Sequence, residues 1–496
     1  MLPQCRRTKA AFESIQGFGQ YDIMEIGIGA NGKFILSVYE DYQFQGSRYS
    51  PSWAMRDALK RLPELKAIHD RDAYQGGFEV PATDVVVELI AALIPQRALR
   101  WRSDEAKQVY TRILMTSAVA DQAAQVMADF KINGKIPEHF YELNAERPLA
   151  GYQQVALFCS KMMPGFGLFA EQGTGKTPIA IADICNSARE HREEYERKLA
   201  EWEAYKASLS PDEAMTDNVP KPVYSMFTVC VVCPNSVRTN WLSEITEFTT
   251  QPGRVTILRG NAIDRIKQLA DAMERDPSDE LRFTVVICGY ATIWRSWEAF
   301  KYIPWDLSIL DEAHAIKDPK SKQSKQALAL RDNSARRLVL TGTPIGNSIM
   351  DMYMLLEFME KGGSGFSDFA AFKRFYGVFD NVGDRSILVG AQNVTFLQER
   401  LARKSFYITK KEALPDLPEK LFDIVEIEMT EQQTEFYNKL ARELALEIER
   451  ELARDDIERS MIIQNILVQL LRLSQITSGL DRKSTRLNSS HITISY

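Results

Sequence analysis

Gly167-Leu168-Phe169-Ala170-Glu171-Gln172-Gly173-Thr174-Gly175-Lys176-Thr177-Pro178 decides the fold. Its first four residues suit a buried strand, its middle is a glycine-rich turn, and Pro178 to Ile184 suits a helix. Proline in a first helical turn costs little, because its missing N–H would have no partner there. Strand, glycine-rich turn and helix together make the context of a phosphate-binding loop. Gly173 and Gly175 let the backbone curl, so that N–H groups across Gly173, Thr174 and Gly175 face the β- and γ-phosphates. The following helix adds the positive end of its dipole. Lys176 supplies a point charge for the phosphates, and Thr177 offers a hydroxyl to Mg²⁺. Ala170 stands where the usual G-x-x-x-x-G-K-[ST] pattern starts with glycine.

Around this loop, from Gly151 to about Gly346, short apolar runs alternate with helical segments. The strands expected are 167–170, 227–233, 255–258, 283–288, 307–310 and 338–341. That alternation predicts an α/β fold, a parallel sheet with helices on both faces around the P-loop. Ligands then sit at the carboxyl ends of the strands.

The strand Leu307-Ser308-Ile309-Leu310 ends in Asp311-Glu312-Ala313-His314. Two adjacent acids at the end of a buried strand are costly unless they hold a cation. Asp311 is the candidate for Mg²⁺, and Glu312 the candidate base that orients and polarises an attacking water. Lys176, Asp311 and Glu312 are thus the expected catalytic set, acting on ATP with Mg²⁺. His314 is expected near the γ-phosphate. Thr341 and Thr343, in Leu340-Thr341-Gly342-Thr343-Pro344, are expected to link it to a nucleic-acid side.

These motifs in this order, with Val231-Val-Cys-Pro-Asn-Ser-Val-Arg-Thr-Asn-Trp-Leu-Ser-Glu244 between them, resemble helicase superfamily two and its Swi/Snf-like branch. Leu149-Ala-Gly-Tyr-Gln153 resembles that branch's L-x-x-Y-Q, which implies that Gln153 reads adenine. The resemblance also implies that Asn235, Ser236, Asn240 and Trp241 touch the backbone of double-stranded DNA. Arg403-Lys404 through Leu417-Pro418-Glu-Lys420 resembles the basic stretch ending in Leu-Pro-x-Lys, and Met429 to Tyr437 the entry to a second lobe. The resemblance spans residues 145–478 and implies that the α/β fold is a RecA-like P-loop parallel sheet with helices on both faces. Departures at Gln172-Gly173-Thr174, Asp318 and Gly346 imply a divergent prokaryotic or phage branch, cytoplasmic and nucleoid-associated. No second-lobe glycine-rich or arginine-finger motif stands between Leu480 and Tyr496. The expectation is ATP binding with poor turnover by this chain alone, since an arginine finger is worth ~10³–10⁵ in rate. Two alternatives stay open, a DEAH-type RNA helicase and a non-catalytic, nucleotide-gated nucleic-acid-binding module.

The organisation expected is a small α+β accessory domain over 1–95, a helical connector over 96–145 and the ATP-binding lobe over 146–350. A charged insertion at 187–222, read as a densely charged helix over Arg189–Lys198 and then a loop with Pro211, Pro220 and Pro222, interrupts that lobe. A helical insertion and linker follows over 351–420, then the start of a second lobe over 421–480. The polar stretch 481–496 is expected to be disordered or non-native. Within the first part, Phe34–Tyr39 and Gly77–Pro81 fit strands, and Trp53–Leu65 and Asp84–Leu93 fit helices. They resemble the HARP-like domain beside some Swi/Snf-type annealing helicases; an unrelated small domain fits equally. Phe366, Phe369, Phe372, Phe375 and Tyr376 recur at helical spacing and are expected to pack.

Composition bounds the rest. With 496 residues, 45% hydrophobic and 26% charged, the chain can bury more than one core. No apolar run is long enough to span a bilayer, so no membrane partner is expected. A net charge of −6 speaks against a uniformly basic surface and leaves room for a local basic groove. Cys230 and Cys233 look like a C-x-x-C but fall on a strand, where i and i+3 face opposite ways. They are expected to be core thiols in a reducing compartment. The lysines at 317, 320, 322 and 325 fit a solvated face or a phosphate contact.

Overall fold

The computed structural model describes residues 22–40, 53–68, 77–138, 148–209, 218–249, 251–275, 278, 280–346, 348–382, 385–418, 428–452, 470, 473, 474 and 477. The expected tail over 481–496, Lys420 and most of residues 453–480 of the expected second-lobe entry lie outside them. The chain forms two compact units, Met1–Leu417 and Pro418–Tyr496.

The first unit opens with β1 (Asp22–Ile28), β2 (Phe34–Glu40), α1 (Trp53–Arg61), β3 (Lys66–Ile68), β4 (Gly77–Val80), α2 (Asp84–Leu93), β5 (Leu99–Trp101) and α3 (Asp104–Asn133). The strands make a sheet in the order β3-β4-β2-β1-β5. Alternate residues Met24, Ile26, Phe34, Leu36 and Val80 turn to one face, where Met55 and Leu59 of α1 and Val86 and Ile90 of α2 cover them. The Thr83 hydroxyl accepts from Val86 N and caps α2. The four elements expected here are present. The sheet also gains β1, β3 and β5, and β5 lies beyond residue 95 and pairs in parallel with β1.

The chain then runs α4 (Gly151–Met162), β6 (Gly165–Ala170), α5 (Lys176–Ser208), β7 (Phe227–Val232), α6 (Arg238–Phe248) and β8 (Gly253–Ile257). Next come α7 (Ala262–Met273), β9 (Phe283–Cys288), α8 (Tyr290–Arg295), α9 (Trp297–Phe300), β10 (Trp305–Asp311), α10 (Lys322–Asp332) and β11 (Ser334–Thr341). After these lie α11 (Met352–Met359), α12 (Phe369–Tyr376), β12 (Gly377–Val382), β13 (Arg385–Ala391), α13 (Val394–Lys404), β14 (Ser405–Ile408) and α14 (Lys410–Ala413). The second unit is described mainly by α15 (Glu431–Leu452).

Seven parallel strands form one sheet in the order β14-β6-β11-β10-β7-β9-β8. Both faces are dry. Val229, Val231, Leu307 and Ile309 meet Ile181 of α5 and Trp241 and Ile245 of α6 on one side. Cys230, Val232 and Leu310 meet Leu330 of α10 and Leu355 of α11 on the other. Cys233 falls in the first core and Cys230 in the second, as the two-residue period of a strand requires. All six expected strands are there. Their order puts the carboxyl ends of β6 and β10 on either side of β11, about 10 Å apart at ordinary strand spacing. At Gly165 a Cβ would stand 1.7 Å from the Met359 carbonyl oxygen, so β6 meets the end of α11 backbone to backbone.

Three features differ from the expected layout. The helix after the phosphate loop does not stop near 184 but is continuous with the charged helix expected from Arg189. It runs 33 residues to Ser208, because its charged part laces itself with Arg189–Glu193, Arg192–Glu196 and Arg197–Glu201 pairs at i,i+4. The stretch expected to be helical over 351–420 contains the β12–β13 hairpin. It also contains β14, an edge strand on β6 whose Phe406 and Ile408 point inward. Four residues are too few for their alternation to stand out in sequence. The aromatic run does pack: Phe372 and Tyr376 are fully buried and meet ring to ring.

Candidate functional site

The loop between β6 and α5 takes the conformation its glycines permit. Gly173 and Gly175 have φ of 82° and 75°, the left-handed region that costs side-chain-bearing residues most. Thr174 is buried, and its hydroxyl donates to Glu171 O at 2.7 Å, closing the turn. From below, the Tyr152 hydroxyl donates to Thr174 O at 2.8 Å. The Gln153 amide reaches Thr174 O and Gly175 O at 3.4 and 3.5 Å, and its oxygen accepts from Ala150 N. From the sheet edge, Glu171 N donates to Ile408 O, and the Glu171 carboxylate accepts from Lys410 N.

Lys176 folds back over its own loop, donating to Ala170 O at 2.7 Å and Glu171 O at 3.2 Å. Burial lowers the pKa of its ammonium, and Glu312 and Asp311 act on it through space in the opposite sense. A Cβ on Gly342, just past β11, would lie 3.8 Å from Lys176 Nζ and 3.5 Å from Ala170 O. Loop, acid pair and Thr341-Gly342-Thr343 segment therefore converge on one place at the carboxyl edge of the sheet.

Asp311 is held on three sides. Its Oδ1 accepts from Glu312 N at 2.9 Å, and its Oδ2 from the Trp241 indole N–H at 2.9 Å. Its carbonyl accepts from the Tyr290 hydroxyl at 2.7 Å. Glu312 follows with φ 49°, one of three non-glycine residues in the left-handed region among those described. Its carboxylate meets His314 Nδ1 at 3.2 Å. Thr341 is fully buried, and its hydroxyl accepts from Thr343 N. Glu244 shares a hydrogen bond with Thr177; burial raises the Glu244 pKa, and the charge of Asp311 adds to that.

A hydroxyl at Thr177 and a carboxylate at Asp311, its two oxygens already oriented by N–H donors, form an all-oxygen donor pair. That chemistry suits Mg²⁺, which prefers one or two carboxylates supplemented by phosphate oxygens.

The residues expected to face DNA divide. Asn235, Ser236 and Asn240 are exposed, with the Asn235 amide leaning over Gly289. Trp241 does not face solvent. It is 2% exposed and its indole is committed to Asp311, which corrects its assignment as a backbone contact. Trp241 and Glu244 stand three apart on α6 and so share its inner face. The resemblance marked this segment for DNA contact, and an i,i+3 pair fits an inner helix face as well as an outer one; the supporting roles of Tyr152 and Tyr290 have no signal of their own in the sequence. Arg403 and Lys404 are also turned inward, paired with Glu88 and Asp121 and with Asp84 and Glu360 respectively. Lys317, Lys320, Lys322 and Lys325 are exposed, with Lys322 over the Trp294 ring.

The family model of the SNF2-related domain matches residues 96–480. The chain belongs to the SNF2-related family. This SNF2-related chain is 26% identical over 325 residues to the DNA repair protein RAD5 of Kluyveromyces lactis, covering 63% of itself and 28% of that protein. It is 31% identical over 220 residues to helicase SWR1 of Mycosarcoma maydis, covering 42% and 12%. To the chromatin-remodeling ATPase INO80 of Emericella nidulans it is 27% identical over 268 residues, covering 52% and 16%. The chain thus spans less than a third of the length of each. All three come from eukaryotes and lend no support to the expected prokaryotic or phage origin. A solved structure titled Sulfolobus solfataricus SWI2/SNF2 ATPase core in complex with dsDNA aligns at 24% identity and a TM-score of 0.39, over 67% of this chain and 59% of that one. Among the described residues no helix is long and apolar enough to cross a membrane.

Proposed function

We propose that the first unit is the ATP-binding motor lobe of a DNA-dependent ATPase that couples hydrolysis to tracking along duplex DNA. The observation that carries this reading is the convergence of Lys176 with Asp311 and Glu312. A cradle of N–H groups, an ammonium and a carboxylate pair at one strand edge can neutralise a triphosphate and deliver water to it.

In this reading Lys176 and the N–H groups from Gly173 to Thr177 bind the phosphates. Thr177 and Asp311 hold Mg²⁺, which supplies charge neutralisation between phosphate oxygens. Glu312 orients the attacking water and takes its proton. Gln153, poised beside the loop, reads the adenine edge. His314 carries the state of Glu312 toward Thr341 and Thr343. Asn235, Ser236 and Asn240 meet the DNA backbone. The names of the relatives, one a DNA repair protein and one a chromatin-remodeling ATPase, favour duplex DNA over RNA as the track.

The test is binding of a fluorescent ATP analogue to the purified chain, with and without Mg²⁺. Tight Mg²⁺-dependent binding is expected, with Lys176→Ala losing it at an unchanged unfolding midpoint. Equal binding by wild type and Lys176→Ala overturns the site. Nucleotide affinity that responds to RNA and not to duplex DNA favours the RNA helicase alternative.

A further inference from the structure

Helix α6 carries two side chains whose partners are the very groups assigned to Mg²⁺. The Trp241 indole N–H donates to Asp311 Oδ2 at 2.9 Å, while the other Asp311 oxygen is taken by Glu312 N. One helical turn on, Glu244 shares a hydrogen bond with the Thr177 hydroxyl. Asp311 ends β10 and Thr177 begins α5, so neither element fixes the other directly. Trp241 and the neighbouring Ile245 are both buried in the core between sheet and helices. The helix therefore cannot shift without dragging both bonds. Its exposed N-terminal turn carries Asn240, and the short turn just before it carries Asn235 and Ser236.

We propose that Trp241 and Glu244 are positioning residues for the magnesium centre, with α6 as the strut that sets the separation and orientation of Asp311 and Thr177. This rests on the ATP reading above and deepens it. An indole has a single N–H and no acceptor, so Trp241 offers Asp311 one fixed donor. A carboxylate pinned by two N–H groups presents its remaining lone pairs in one direction only. Glu244 accepts from Thr177, which turns the hydroxyl oxygen's lone pairs outward, the arrangement a cation needs. Because both bonds spring from one rigid helix, movement of the α6 end that carries Asn240 changes the geometry of both ligands together.

The experiment is a Mg²⁺ titration of fluorescent-ATP-analogue binding to the full chain, run beside the same measurement in EDTA. Trp241→Phe keeps most of the ring and removes the N–H. Its Mg²⁺ midpoint is expected to rise about tenfold, the usual scale when an outer partner of a metal ligand is lost, with affinity in EDTA unchanged. Glu244→Ala should show the same shift. Glu244→Gln, whose amide oxygen still accepts from Thr177, should return to the wild-type midpoint. The Glu244 pair decides the matter if Trp241→Phe loosens the core. Wild-type Mg²⁺ midpoints in both Trp241→Phe and Glu244→Ala overturn the proposal. A wild-type chain that binds no analogue at any Mg²⁺ level overturns the ATP reading itself, and the proposal with it.

Discussion

Glu312 pays for its position in backbone energy. A glutamate at φ 49° costs roughly 1–3 kcal/mol, and such strain persists only where the surroundings enforce it. Here Asp311, clamped by Trp241, Tyr290 and the Glu312 N–H itself, leaves the next residue little choice. The turn throws the Glu312 carboxylate toward His314 and into the field of Lys176. Glu312→Gln should therefore bind the nucleotide like wild type. Whatever hydrolysis the wild-type chain shows should fall roughly 10²–10⁴-fold, the usual contribution of a positioned base; a steady-state phosphate assay reads this. Gly175→Ala is the complementary case. A Cβ there would displace the Gln153 amide, which approaches to 2.3 Å, and would strain the backbone at φ 75°. Loss of nucleotide binding with a lowered unfolding midpoint is the expected result, and an unaltered affinity would show that the cradle tolerates the change. Gly173, Gly175, Lys176, Asp311 and Glu312 were all legible, because each has a residue type that its position makes nearly obligatory. Trp241 was not legible, because tryptophan serves equally well on an exposed nucleic-acid face and in a core. Only the approach of α6 to β10 distinguishes the two.

At the scale of elements, the six strands of the motif-bearing region showed themselves through short β-branched runs bounded by polar turns. The edge strand β14 escaped, since four residues hold only two inward positions, Phe406 and Ile408. The continuity of α5 escaped for another reason. Periodicity of apolar residues ends at Ala188, and the helix continues on charge pairs and on contacts such as Arg192 over the Tyr224 ring and Trp202 donating to Val219 O. Substituting Arg197 by alanine should leave the unfolding midpoint unmoved, because an exposed pair is screened by solvent. The packing of β6 on α11 is the opposite regime. The obstacle to a side chain at Gly165 is the Met359 carbonyl, which cannot rotate away. Gly165→Ala should destabilise the chain by about 3 kcal/mol, the upper end for overpacking, measurable by denaturant titration.

Across the whole first unit, helix α2, which covers the N-terminal sheet, and helix α13, which leads into the edge strand β14, are joined by a buried ionic cluster. Asp84 of α2 binds Arg400 at 2.9 Å and Lys404 at 2.8 Å, both from α13, and Lys404 also binds Glu360. The partners are more than 300 positions apart in the chain, so no local pattern announces them. Burial alone works to raise the Asp84 pKa, but Arg400 and Lys404 outweigh it and hold the carboxyl well below its ordinary value. A depressed carboxylate contributes stability that is complete above the unfolded value near ~3.9 and is lost as pH falls below it. Asp84→Asn should cost roughly 3–5 kcal/mol near neutrality, because it strands buried cations. The gap to wild type should narrow as the medium is acidified below that value; a gap constant down to strong acid would refute the assignment. The cysteines among the described residues of this unit have a practical consequence. Cys159, Cys185, Cys230, Cys233 and Cys288 are all free and buried, and desolvation pushes the Cys159 thiol up to about 12. An alkylating reagent can reach them only when the nucleotide-binding layer swings apart. The rate of labelling at these five positions, read by peptide mapping, is therefore a clock for global opening, and any ligand that closes the cradle should slow it.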